Sequence, residues 1–199
     1  MKRFFTIIGW HLVVLHLVVL LSCSAWSNEA KNEWKKIVDK IGELGCDVPI
    51  VNCEKCDDAF GGSQAIYRTD GDKLNEIRLC SDRIDNRESL KRLYWHELVH
   101  AYDRCKFSLD AANLSCRQRA CTEVRAYSYS TRCNKIDGTD TTDEERKACV
   151  KEEAIDSTDN ACPRTATADV EAVFDSCYLS KEDYNSKWLF GFDENWIRQ

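Results

Sequence analysis

Twelve cysteines in 199 residues constrain this chain more than any other feature. They run from Cys23 to Cys177 and punctuate every part of the body. Thiols at this density mark a fold made in an oxidising compartment and stapled by disulfides. The pairing cannot be read from the spacing. Cys53-x-x-Cys56 alone also suits half a zinc knuckle or a redox pair, but no second C-x-x-C follows at finger spacing, so structural disulfides are the better reading. Setting aside Cys23, which falls in an apolar leader, leaves eleven. That odd number predicts at least one thiol that is free or paired between chains.

The leader has Lys2 and Arg3, an apolar run from Phe4 to Leu21, and then Ser22-Cys23-Ser24-Ala25. Positive, apolar and small segments in that order predict a secretory signal peptide cut after Ala25. The run also approaches the thickness of a bilayer, which makes a retained membrane anchor the alternative. Leu20-Leu21-Ser22-Cys23 further resembles a lipoprotein box, which would lipidate Cys23. The expected organisation is therefore a leader over 1–25 and one domain over 26–199, long enough to bury a sizeable core. The formal charge of -6, with no basic stripe, gives no support to a nucleic-acid partner.

Within the body, Trp34, Ile37, Ile41 and Leu44 recur at helical spacing over 29–44, with Gly45 as the stop. A cysteine-rich loop closes at Gly61-Gly62. Residues 64–80 predict a β-hairpin with strands near 64–68 and 76–80, turned at Asp70-Gly71. Helices are expected over 87–105, about 113–133 and about 167–178. Thr142 with Glu145 three residues on forms a capping box that opens another helix.

The segment LYWHELVHAYDRC, 93–105, carries the chemistry. His96 and His100 lie four apart, on one helical face a single turn apart, so each can offer an imidazole nitrogen to an ion about 2 Å away. Glu97 sits about 100° round from His96, near that ion without being obliged to bind it, and is the candidate general base. The other two histidines, His11 and His16, fall in the leader. A catalytic zinc ion needs a third protein ligand and an open position. Glu123, on the next predicted helix, is the preferred third ligand if that helix folds back antiparallel. Asp103 shares the face of the histidines one turn further on and remains the alternative, or a group that orients an imidazole. Glu123 has a plainer role open to it, an ion pair with Arg119 or Arg125. The strand near 76–80 is a candidate for holding extended substrate through its backbone. The fold class expected is α+β: a helix-rich, zincin-like single domain with a small antiparallel hairpin or sheet, disulfide-stapled.

HELVHAYDRC followed by ACTEVRA resembles the mitochondrial inner-membrane metalloprotease family that processes ATP synthase and helps assemble it. NCEKCDDAFGG, IRLCSDRI, CVKEEAIDSTDNAC and VEAVFDSC look like that family's cysteine-bearing blocks, in order, over about 46–178. The resemblance implies a zinc-dependent metalloendopeptidase on the intermembrane-space side of the inner membrane, with His96 and His100 on the metal and Glu97 catalytic. It implies protein or peptide substrates and, as a second role, contact with membrane-sector subunits of ATP synthase. Two features depart from the family pattern. Its members generally lack so apolar a leader, and the tail after Cys177 matches poorly, with Trp188, Phe190, Phe192 and Trp196 packing on the core or meeting a membrane or partner. Two rival functions stand beside the protease. One is a non-catalytic assembly factor with a structural metal or none. The other is a secreted disulfide-rich binding protein, for which Asn113-Leu114-Ser115 is a glycan acceptor.

Overall fold

A computed structural model of the chain describes residues 23, 35–56, 63–70, 74–110, 113–130, 132–133 and 141–178. The turn at Gly71, the glycines 61 and 62, the leader before Cys23 and the aromatic tail lie outside the described residues. Helix α1 spans Lys35–Glu43 and buries Ile37 and Ile41. Gly45, at φ 82°, ends it as expected. The Gly45 and Cys46 N–H groups reach back to the carbonyls of Gly42 and Ile41 and satisfy the last turn.

Three strands follow: β1 Ile50–Glu54, β2 Ala65–Asp70 and β3 Leu74–Cys80, in the order β1-β3-β2. The expected hairpin is β2 with β3, antiparallel, with Tyr67 opposite Ile77. Strand β1 was not anticipated. It pairs with β3 in parallel, with Val51 opposite Ile77, so the sheet is mixed and not purely antiparallel. A parallel partner has no tight turn of its own to announce it.

Four helices complete the fold: α2 Arg87–Phe107, α3 Cys116–Tyr129, α4 Asp143–Asp159 and α5 Ala166–Cys177. Three of the four start on recognisable chemistry. The Asn86 side chain accepts from the Ser89 N–H at the head of α2. Ser115 with Gln118, and Thr142 with Glu145, form complete capping boxes on α3 and α4. The apolar side chains gather into two cores. Ile37, Ile41, Ile77, Leu79, Leu90 and Leu98 join α1, the sheet and α2. Val124, Val150, Val170 and Phe174 join α3, α4 and α5. Helices α2 and α3 pack together where the two cores meet.

All twelve cysteines are paired: Cys23–Cys53, Cys46–Cys105, Cys56–Cys80, Cys116–Cys162, Cys121–Cys177 and Cys133–Cys149. The expected odd thiol does not exist, because Cys23 belongs to the disulfide framework. Cys53 and Cys56 bond to separate partners, so that motif is neither a redox pair nor a zinc knuckle. Among the described residues no helix is long and apolar enough to cross a membrane.

Candidate metal centre

His96 and His100 sit a turn apart on α2, and both rings turn towards α3. Their Nε2 atoms are 3.0 Å apart. Glu123 enters from α3, with Oε2 3.3 Å from His96 Nε2 and Oε1 3.5 Å from His100 Nε2. The three side chains are 12, 17 and 14 % exposed, so they are reachable from one side and otherwise enclosed.

These spacings suit one cation. Bonds of about 2.0–2.1 Å at tetrahedral angles put neighbouring donors about 3.3 Å apart. Glu123 Oε2 is also sealed from solvent without a satisfied hydrogen bond, a lone pair well placed for a cation. Among the described residues these three are the set that gathers closely enough to share an ion. Two imidazoles and one carboxylate, with one side open, are donors of the kind that a catalytic divalent site uses.

The electrostatics agree. Burial alone would lower the His100 imidazole, but the Glu123 carboxylate overrides it and pushes the pKa up to about 9. Burial would raise Glu123, yet His100 and His96 hold it well below the usual carboxylate range. The carboxylate therefore stands ionised against two imidazoles at every ordinary pH.

Glu97 lies beside this cluster without joining it. It is buried, and its Oε2 accepts the backbone N–H of Tyr67 on β2 at 2.7 Å. That bond fixes the carboxylate towards the cleft wall. No pattern in the sequence announced it, because the donor is a backbone group. The Tyr127 ring is a second contributor that sequence reasoning missed. It meets His96 edge to face, with ring centroids 4.4 Å apart, and its hydroxyl hydrogen-bonds Ser157 across 2.7 Å. Its position one turn beyond Glu123 on α3 was the available signal.

Asp103 does not approach the ion site as a ligand, nor does it hydrogen-bond an imidazole. It is fully buried, and its two oxygens accept from Arg125 Nε and Nη2 at 2.7 and 2.8 Å. This bidentate pair ties α2 to α3 behind the histidines. It also takes Arg125 away from Glu123, which faces the histidines and not a cation of its own helix.

The cleft in front of the cluster has a volume of about 1140 Å³, and β2, α2, α3 and α4 line it. That exceeds the roughly 300–1,000 Å³ of a small-molecule pocket. Its floor strand is β2, not the strand at 76–80. That strand, β3, is flanked on both sides, which leaves it no backbone edge to offer. Just before β2 the Gln64 carbonyl faces β3, where it accepts from Cys80 N–H, and on β2 the Tyr67 N–H faces the cleft. By strand alternation the Ala65 backbone also faces the cleft.

Comparison with known proteins places this chain in a family. A 35% identical stretch, covering 71% of this chain and 61% of the relative, matches the mitochondrial inner membrane protease ATP23 of Debaryomyces hansenii. The ATP23 homologue of Xenopus laevis is 30% identical over 75% of this chain and 65% of its own length. The human homologue is 27% identical over 75% and 62%. The match thus spans a little under two thirds of the length of these relatives. No solved structure matches the chain. The sequence model of the peptidase M76 family aligns with residues 22–185, both metal-site helices and all twelve cysteines included, and this chain belongs to that family.

Proposed function

We propose that this chain is a zinc-dependent endopeptidase in which His96, His100 and Glu123 hold the ion and Glu97 is the general base. The observation that carries the reading is the gathering of three donors, from two helices, at 3.0–3.5 Å spacing, with Glu97 next in the chain to His96 and not among them. The peptidase family it belongs to and the protease names of its relatives support the same reading.

When bound, the cation supplies Lewis-acid polarisation of the scissile carbonyl and of the attacking water. The chain's own residues do the rest. Glu97, oriented by the Tyr67 N–H, takes the proton from the attacking water and passes it to the leaving amine. An extended peptide lies along β2 and pairs with the Ala65 backbone, which brings its carbonyl to the open side of the histidine pair. A polypeptide fills so large a cleft better than a small metabolite does.

Relatives named for the mitochondrial inner membrane favour the intermembrane-space face as the place of action, where twelve oxidised cysteines are at home. Membrane-sector subunits of ATP synthase are the proposed clients. Glu97→Gln tests the role of the base. The variant is expected to keep its metal and lose about 10²–10⁴-fold in peptide cleavage. Undiminished cleavage would remove Glu97 from the mechanism.

A further inference from the structure

We infer that the apolar leader is retained, and that the Cys23–Cys53 disulfide moors the domain to a lipid bilayer along the β1 side of the sheet. The inference rests on the placement of Cys23, and is independent of the peptidase reading.

Cys23 is 3 % exposed, lies in the first core with Ile37 and Leu79, and is bonded to Cys53 on β1. The family match begins at residue 22, so Cys23 is part of the domain and not of the segment before it. Both processing events suggested by the leader conflict with this bond. A cut after Ala25 made before the chain folds, as signal-peptide removal is, would excise Cys23, strand the Cys53 thiol and empty a place in the core. Lipoprotein processing would place a thioether on the same sulfur that the disulfide occupies. With neither event permitted, the apolar residues 4–21 stay covalently attached and end two residues before the tether. Their length approaches the ~20 residues needed to span a bilayer.

The partner is then lipid, and the surface beside the tether suits it. Leu44, Val48 and Ile50 are the exposed large hydrophobics among the described residues, at 40, 39 and 66 %. All three lie in the segment 44–50 that leads into β1, the strand that carries Cys53. The cleft lies along β2, at the opposite edge of the sheet and two strand spacings, about 10 Å, from β1. An enzyme held by β1 therefore keeps its cleft away from the bilayer surface.

The full chain, made in cells with an oxidising intermembrane space and isolated without reductant, provides the test. The mature protein is expected to retain residues 4–21 by intact mass and to stay in the membrane pellet after alkaline extraction. A chain beginning at Trp26, or a mass showing lipid on Cys23, would overturn the inference. A second form carries a site-specific protease sequence inserted after Ser27. Once cut, the domain should remain in the pellet until reductant is added, and release by the cut alone would equally overturn it. Adding Cys23→Ser to that form should abolish the need for reductant, and a continued need would show that the tether lies elsewhere.

Discussion

His100 and Glu123 form the most strongly coupled pair in the site. With no cation present, the imidazole holds a proton up to about pH 9 because Glu123 faces it. A pKa raised from 6.5 stabilises the metal-free fold fully below about 6.5, and that contribution is lost as pH rises through about 9. A metal ion must displace this proton, so uptake at neutral pH should release about one proton per chain. Calorimetry of zinc binding in buffers of different ionisation enthalpy measures it. Release per zinc bound should fall in Glu123→Gln at zinc concentrations high enough to fill its weakened site, because the imidazole loses the charge that holds its proton. Equal release from both proteins would mean that Glu123 does not face His100 in solution. The Tyr67–Glu97 bond belongs to the same scale. It was hidden from sequence reading because the donor is backbone, whereas the meeting of His96 and His100 was legible from their one-turn spacing.

At the scale of elements, the proposed metal site depends on α3 meeting α2 at a fixed separation. Two devices set it. The Asp103–Arg125 pair is wholly buried and bidentate. Asp103→Asn leaves the Arg125 charge without its partner and should cost about 3–5 kcal/mol in urea unfolding. Replacing both residues by apolar ones of similar volume should recover most of that loss. A double variant no more stable than Asp103→Asn would show that packing, and not the stranded charge, is at stake. Cys121–Cys177 joins α3 to α5 and sits two residues before Glu123. Its loop of 56 residues predicts a loss of about 4 kcal/mol when both are changed to Ala. Thermal unfolding checks this, with a weaker grip on zinc expected alongside. The helices were legible from their apolar period, reinforced in α4 by the capping box of Thr142 with Glu145. Strand β1 was not, since IVNCE is short and its partner β3 lies beyond β2 in the chain. Asp103 was placed on the correct face of α2, but its partner on α3 depends on how the helices dock, which spacing does not encode.

Across the whole molecule, two small cores meet at the α2–α3 contact, and the cleft opens in front of that seam. Disulfides staple both cores, Cys46–Cys105 and Cys56–Cys80 in the first, Cys116–Cys162 and Cys121–Cys177 in the second. The cysteine content announced such a framework, yet the count went astray at Cys23, where a leader pattern and a domain cysteine overlap. The central claim is that one divalent cation is held by His96, His100 and Glu123 while Glu97 stays free of it. Zinc per chain, measured by elemental analysis of the purified wild type, His96→Ala, Glu123→Ala and Glu97→Gln, tests it most directly. One equivalent in the wild type and in Glu97→Gln, with sharply less in the other two, is the predicted result. Metal-free wild type after zinc supplementation, or a full equivalent retained by His96→Ala and Glu123→Ala, would contradict it.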